Sequence, residues 1–307
     1  MVEHSHDKDH LLPTNITPSE MGVAIALASV TSIGNLLVII AVYKDPFGDL
    51  RTISNWLVVN LSAADLIVGL IVEPIWVIQY WVKDDQNYSI AANMMLILSV
   101  DASCFTVLFL TIERYIVLEM PLRHETVFSI AATKTYIFLI WLTASVISSI
   151  VIPCWNPAKR LIYHLFIFTG LGCFLLFVML CLYIRMFIII RNFNQALIKQ
   201  GIRQQLLQPA ETSIQARKRE QEVAKAIFLF VGTMALCWLP SVIAETIRSS
   251  DGSVHVSEHM CRATIFLGLL NSALNPIIYT FRMYSFRRAI VRVFVSRASA
   301  GVAGNCA

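Results

Sequence analysis

Seven stretches of the sequence are long and apolar enough to cross a lipid bilayer, and this feature constrains the fold more than any other. Each supplies the roughly 20 residues that about 30 Å of hydrocarbon requires. Charged residues make up only 14% of the chain. Because a helix satisfies its backbone hydrogen bonds internally, we predict an all-α membrane protein built as a seven-helix bundle. Segments 1 to 7 are 20–43, 54–81, 90–118, 129–152, 161–190, 217–247 and 258–281.

The basic residues fall mainly on one side of these segments. Of the 24 Lys and Arg residues, all but six share a side with the C-terminus. Cytoplasmic loops are enriched in Lys and Arg, so we expect an extracellular N-terminus and a multi-pass protein of the plasma membrane. The net charge of +4 then reflects membrane topology, and a nucleic-acid partner is not indicated. The six exceptions are Lys8, Lys83, Lys159, Arg160, Arg248 and Arg262.

The two ends of the chain differ in character from the apolar part. Residues 1–19 are polar, lack the pattern of a cleavable signal peptide, and predict an extracellular tail with a glycosylation sequon at Asn15. Residues 20–283 form the seven-helix domain. Residues 284–307 combine an apolar stripe with several Arg residues, which predicts an amphipathic helix on the inner surface of the lipid bilayer, followed by a cytoplasmic tail.

Two acids inside apolar segments indicate functional sites, since such an acid costs about 3 kcal/mol on insertion scales. Asp65 lies near the middle of segment 2, where it must be protonated, paired or bound to a cation. In segment 3, Ser99 and Ser103 are separated by one helical turn and share a face. Asp101 lies between them in sequence and therefore points to nearly the opposite side, toward segments 4 and 5. The two acids need not belong to one site.

Proline and amide residues predict where the helices break and touch. Pro240 and Pro276 cannot donate a backbone hydrogen bond, so segments 6 and 7 should each carry a local break. Pro276 leaves the carbonyl of Ser272 without its helical partner. Asn35 in segment 1 needs a partner on a neighbouring helix, and Gly34 beside it permits a close approach.

Taken together, these residues resemble the rhodopsin-like (class A) G-protein-coupled receptors. The resemblance covers nearly the whole chain, from Gly34 to Phe294. No single motif decides it, but the motifs occur in family order, which makes the combination specific. They are Asn35, Asn60-Leu61-Ser62-Ala63-Ala64-Asp65, Glu113-Arg114-Tyr115, Trp141, Cys237-Trp238-Leu239-Pro240 and Asn275-Pro276-Ile277-Ile278-Tyr279.

The resemblance implies a signal-transducing receptor, not an enzyme, whose partners are an extracellular ligand and a heterotrimeric G protein. Segment 6 is expected to swing outward on activation, exposing Arg114 to the G protein and separating it from Glu220. Arrestin is a further candidate partner, although the tail offers few hydroxyl groups. The residues implied in coupling and switching are Glu113, Arg114, Tyr115, Glu220, Tyr183, Pro240, Asn275, Pro276 and Tyr279.

The resemblance also implies a sodium ion as an allosteric ligand, with no other cofactor. Asp65 would supply the charge, and Ser103, Asn271 and Ser272 would supply neutral oxygen atoms. Such oxygen-rich groups suit a hard cation. A hydrogen-bonded structural acid is the alternative interpretation of Asp65.

Four positions depart from patterns in the family. Ser89 and Leu175 stand where most members have a cysteine and a proline. Leu96 replaces the aspartate of aminergic receptors, and Leu269 replaces the retinal-binding lysine of opsins. The first two losses and a short second outer loop weakly resemble the melanocortin-like receptors, whose segment-3 acids are missing here. The disulfide candidates are Cys154 and, nearest to it by topology, Cys261.

Acidic residues in the outer half of the membrane-spanning segments, Asp101, Glu73 and Glu245, predict a positively charged ligand. At 1.5 Å per residue, Asp101 lies about 20 Å from Arg114, near the floor of the family's pocket. A carboxylate there suits a cationic small molecule or a basic peptide. A protonated Asp101 with a neutral or lipid-like ligand is the alternative, and a transporter is a more distant one because the sequence shows no internal repeat. The candidate ligand-binding residues are Asp101, Glu73, Glu245, Leu96, Val100, Trp238 and His164.

Overall fold

The computed structural model describes residues 17–82, 86–149, 170–201, 211–249 and 258–303. All regular structure in these ranges is helical, so the predicted all-α fold is confirmed. A π-helical turn, Val68–Val72, joins the second and third helices. The helices are α1 Pro18–Lys44, α2 Ile53–Ile67, α3 Glu73–Val82, α4 Gln86–Glu119, α5 Pro121–Val127, α6 Ile130–Ser149, α7 Gly172–Gly201, α8 Glu211–Ser249, α9 Glu258–Arg282 and α10 Tyr284–Ala303.

Seven helical spans in the described residues are long and apolar enough to cross a membrane. Segment 2 corresponds to α2, the π-helical turn and α3 together, whereas each other segment corresponds to one helix: α1, α4, α6, α7, α8 and α9. The first residues of segment 5 and the last of segment 4 lie outside the described ranges. The central helix is α4, which contacts α2, α6, α7 and α8. The chain is thus a multi-pass membrane protein.

An ion pair lies at each end of the bundle. We refer to the two ends as the Glu20 end and the Arg114 end. At the Glu20 end, Thr17 caps α1 and its backbone N–H donates to the Glu20 carboxylate at 2.7 Å. The same carboxylate lies 3.0 Å from Nε of Arg262 at the start of α9. At the opposite, Arg114 end, Glu113 pairs with the adjacent Arg114.

The crossing of α1 and α9 follows the predicted pattern of polar residues. Nδ2 of Asn35 donates to the carbonyl of Thr31 at 2.9 Å and to that of Ser272 at 3.1 Å. Because Pro276 has no N–H, the Ser272 carbonyl would otherwise lack a donor. A Cβ atom on Gly34 would lie 3.0 Å from Cγ of Pro276. The absence of a side chain at Gly34 therefore lets Asn35 reach the carbonyl that Pro276 leaves free.

Side-chain hydrogen bonds also hold α2 against α4 and α6. Asn60 donates to Oγ1 of Thr106 at 2.7 Å and accepts from Nε1 of Trp141 at 2.8 Å. Closer to the Glu20 end, Oγ of Ser99 donates to the carbonyl of Ala64 at 2.8 Å. These bonds place Asp65, which follows Ala64, beside the serine face of α4.

Helix α10 lies along the Arg114 end of the bundle. Phe286, Ala289 and Val293 are buried, whereas Arg287 and Arg292 are exposed. This distribution is the amphipathic pattern predicted from the sequence. Nη2 of Arg288 lies 3.4 Å from Asp49, and its guanidinium lies 3.7 Å from the ring centre of Phe47. Both contacts fasten α10 to the turn between α1 and α2.

Candidate functional site

Asp65 is fully buried between α2 and α9. Its Oδ2 accepts a hydrogen bond from Nδ2 of Asn275 at 2.8 Å. Its Oδ1 and Oδ1 of Asn271 are both buried and find no hydrogen-bond partner among the described residues. A buried oxygen without a donor is costly, so this neighbourhood has the electron-rich atoms that a cation would satisfy.

A small cavity adjoins this neighbourhood and brings together three of the four predicted sodium ligands. We refer to it as the Ser103 cavity. Ser99 in its wall is the residue that bonds to the carbonyl of Ala64, immediately before Asp65. The cavity is lined by Ser99, Val100, Ser103, Cys104, Met234, Trp238, Asn271 and Ser272.

Asp101 faces a second cavity, formed by α4, α7 and α8 together with Leu171. We refer to it as the Asp101 pocket. Sequence reasoning placed Asp101 toward segments 4 and 5, whereas the walls come from segments 5 and 6 because α8 approaches α7 here. Oδ2 of Asp101 is buried without a hydrogen-bond partner in the described part of the chain. The lining is Val100, Asp101, Cys104, Leu171, Gly172, Cys173, Leu175, Leu176, Met234, Trp238, Leu239 and Val242.

Trp238 lies between the two cavities. It lines both of them, and so do Val100, Cys104 and Met234. These side chains form the wall that separates the Asp101 pocket from the Ser103 cavity. A movement of the Trp238 ring would therefore change the shape of both cavities at once.

Two further predicted ligand-binding residues, Glu73 and Leu96, do not line the Asp101 pocket. Glu73 is fully buried, and both of its carboxylate oxygens lack a partner among the described residues. Leu96 packs in a core cluster with Val72 and Trp76, near Glu73. The structure thus separates Glu73 and Leu96 from Asp101. His164 lies outside the described residues, as does the side chain of Glu245.

Glu113 at the Arg114 end is held from three helices. It is fully buried, and each carboxylate oxygen accepts from Oγ of Ser54 on α2 at 3.1 Å. Nε2 of His124 on α5 lies 2.9 Å from Oε1. Arg114 donates to the same carboxylate and also to Ser54. The side chain of Glu220, the predicted partner of Arg114, is outside the described residues.

The roles of Ser54 and His124 were not predicted from the sequence. Glu113 and Arg114 form a charge pair at the membrane edge, where a buried carboxylate needs several donors. The need for donors could be predicted from the sequence, but the spacing of residues does not reveal which loop or helix supplies these donors. The partners became visible only when α2 and α5 were placed against α4.

The predicted switch residues pack tightly near the same end. Tyr279 is fully buried and packs against the rings of Phe230 and Phe286, at centroid distances of 4.8 and 5.7 Å. Tyr183 on α7 stacks on Phe228 of α8 at 4.2 Å. Tyr115 lies partly buried in a neighbouring cluster with Tyr183. These aromatic contacts connect α7, α8, α9 and α10.

The family model for seven-transmembrane receptors of the rhodopsin family matches residues 34–279, most of the chain. The chain belongs to the rhodopsin family of receptors. It is therefore a G-protein-coupled receptor, a signal-transducing membrane protein and not an enzyme, as the sequence predicted.

Several curated proteins share more than a quarter of their aligned residues with this receptor. Dog adenosine receptor A2a (Canis lupus familiaris) is 29% identical over 90% of the receptor and 72% of its own length. Human adenosine receptor A2a (Homo sapiens) is 29% identical over the same shares. Bovine adenosine receptor A2b (Bos taurus) is 27% identical over 90% of the receptor and 91% of its own length.

Two other predicted features of the receptor remain predictions. Asn15, the predicted glycosylation site, lies outside the described residues. Cys154 does too, whereas Cys261 is buried in the first turns of α9. The proposed link between Cys154 and Cys261 therefore rests on the sequence alone.

Proposed function

We propose that the receptor sits in the plasma membrane with its Glu20 end outside, and that the Asp101 pocket binds an extracellular cationic small molecule or basic peptide. The observation that carries this proposal is the Asp101 carboxylate, which has a buried oxygen without a hydrogen-bond partner in the described residues. Among the described residues that line the pocket, it is the only charged side chain. The orientation is supported by the excess of Lys and Arg at the Arg114 end.

A ligand cation would remove the main energetic cost of this pocket. An ionised carboxylate without a partner is strongly unfavourable away from water. A positively charged group placed against Asp101 would form a charge-assisted hydrogen bond. The rest of the lining is apolar apart from weakly polar cysteine and tryptophan groups, so it would bury the hydrocarbon part of the same ligand.

Binding in this pocket would reach the G-protein side through Trp238. The indole ring forms part of the pocket wall, and Pro240 follows within the same helix, α8. Because Pro240 leaves the carbonyl of Leu236 without a donor, α8 can bend there. An outward swing of the part of α8 at the Arg114 end would then open a site for the heterotrimeric G protein.

We also propose that sodium acts as an allosteric ligand at Asp65, Ser103, Asn271 and Ser272. The unpartnered oxygens of Asp65 and Asn271 support this proposal, and so does the polar lining of the Ser103 cavity. Sodium bound to residues of α2, α4 and α9 would hold these helices in one arrangement. An ion that prefers the resting arrangement would lower the affinity for agonists.

A nucleoside is the second candidate ligand. It is favoured by the names of the relatives, which are adenosine receptors. In that case Asp101 would accept hydrogen bonds from neutral donors of the ligand and would need no cation. A neutral or lipid-like ligand above a protonated Asp101 would likewise keep its potency when Asp101 is replaced by Asn.

The test is the potency of agonists found by screening amines, basic peptides and nucleosides against cells that express the receptor. Wild type, Asp101→Asn and Asp49→Asn are compared at equal surface density. Asp49→Asn removes the same formal charge at the Arg114 end, where Asp49 pairs with Arg288. We expect a cationic agonist that loses tenfold or more in potency, about 1.4 kcal/mol, only with Asp101→Asn. An uncharged agonist with unchanged potency in that variant would exclude the ion pair.

A further inference from the structure

Gly268 of α9 lies directly against the indole ring of Trp238. A Cβ atom on Gly268 would come within 2.9 Å of Cε3 and Cζ3 of Trp238, and within 3.1 Å of Cη2. Carbon atoms in contact are normally about 3.5–4.0 Å apart. All three atoms belong to the rigid six-membered ring, so the ring would have to move as a whole to admit even a methyl group.

A second contact fastens α8 to α9 at the same level. Oγ of Ser241 donates to the carbonyl of Thr264 at 2.5 Å. Thr264 precedes Gly268 by one helical turn, and Ser241 lies on the same turn-to-turn row of α8 as Trp238. The two helices therefore meet through a ring-on-glycine contact and a hydroxyl-on-carbonyl contact that are one turn apart.

A ring pushed off Gly268 would move away from α9. On its other sides Trp238 lines both the Asp101 pocket and the Ser103 cavity. A ring displaced from Gly268 would enter this volume and would alter the wall that it forms with Val100, Cys104 and Met234. The ring thus lies against Gly268 on one side and borders both cavities.

We propose that Gly268 is a positioning residue for Trp238, and that the seat it provides on α9 holds α8 in the resting arrangement. Removing the seat pushes the ring into the two cavities, loosens the joint between α8 and α9, and favours the active arrangement. This inference rests on the proposed function insofar as Trp238 transmits ligand binding to α8. The seat itself is a property of the packing and can be tested without a ligand.

The decisive variant is Gly268→Ala, and the chain offers a matched control in Gly232→Ala. Gly232 lies inside α8, and a Cβ atom there would meet nothing within 4 Å. Since alanine has the higher helix propensity, by about 1 kcal/mol, Gly232→Ala should leave the thermal midpoint unchanged or raise it. We expect Gly268→Ala to lower the thermal midpoint of the purified receptor below that of the wild type and of Gly232→Ala.

A spectroscopic measurement reports the ring directly. The receptor is labelled with 5-fluorotryptophan, and the ¹⁹F resonance of Trp238 is assigned by its loss in Trp238→Phe. Gly268→Ala should shift this resonance, whereas Gly232→Ala should not. In parallel, ligand-free nucleotide exchange on a G protein should rise several-fold in Gly268→Ala alone.

A double-mutant cycle separates the seat from a general effect of alanine in α9. Phenylalanine has a smaller ring, so the loss of thermal stability caused by Gly268→Ala should largely disappear in the Trp238→Phe background. If Gly268→Ala alone folds poorly, its surface expression is compared in the wild-type and Trp238→Phe backgrounds instead. An equal loss of thermal stability in both backgrounds would show that Gly268 does not act through its contact with Trp238.

The remaining outcomes are also distinct. An unmoved Trp238 resonance would show that Gly268 does not position the ring. A shifted resonance with unchanged basal exchange, on a G protein that the wild type activates, would overturn the link to the resting arrangement. If no G protein responds to the wild type, the proposed function fails, whereas the spectroscopic and thermal comparisons still decide whether the seat exists.

Discussion

Asp65 and Asp101 are the same residue type inside membrane-spanning helices, yet their surroundings differ in kind. Asp65 has an amide donor in Asn275 and lies beside hydroxyl and amide oxygens. The Asp101 pocket has mostly apolar walls. A small ion that needs several oxygen ligands suits the first environment. An organic cation with a hydrocarbon part suits the second, so the two acids support different ligands.

The first of these differences predicts a response to salt. In the purified receptor without agonist, sodium chloride should raise the thermal midpoint relative to N-methylglucamine chloride. At ten times the dissociation constant, one bound ion stabilises by about 1.4 kcal/mol. Asp65→Asn removes the charge and should abolish the difference, whereas Asp49→Asn should retain it. Equal responses of wild type and Asp65→Asn to sodium would show that the ion does not bind there.

Among contacts between helices, the sequence predicted that Asn35 needs a partner on a neighbouring helix, but it did not predict which residue that partner is. Asn35 needed an acceptor and Pro276 left one on Ser272, and the structure pairs them. Ser54, His124 and Gly268 carried no such signal. Periodicity reveals which face of a helix is buried, but not which residue of another helix meets it. Those three partners depend on how α2, α5 and α9 approach their neighbours.

The contact between α5 and α4 predicts a change in basal signalling. His124→Ala removes a group 2.9 Å from the buried Glu113 carboxylate, while Ser54 and Arg114 still bond to it. One lost hydrogen bond of about 1 kcal/mol shifts a conformational equilibrium about fivefold. Ligand-free second-messenger output should therefore rise at equal surface expression. Arg123→Ala, an exposed neighbour on α5, is the control, and matching outputs from both variants would contradict this role of His124.

At the scale of the whole molecule, the fold class and family could be predicted because both rest on local features. Seven apolar segments and motifs in family order need no knowledge of distant contacts. The ligand pocket was harder, because its walls form where α7 and α8 approach α4. Sequence reasoning grouped Glu73 with Asp101, whereas the structure places Asp101 in a pocket that Glu73 does not line. The depth of Asp101 along its helix could be predicted from the sequence, but the helices that its side chain faces could not.

Nucleotide exchange on G proteins by the purified receptor in lipid vesicles tests directly whether the protein activates a G protein. Heterotrimers of the main G-protein classes are supplied with and without the panel of amines, basic peptides and nucleosides. We expect at least one combination to accelerate exchange several-fold over empty vesicles, and Arg114→Ala to abolish the acceleration. G-protein coupling would be contradicted by a folded protein that accelerates exchange in no combination and instead carries ions or solutes across the membrane of the same vesicles.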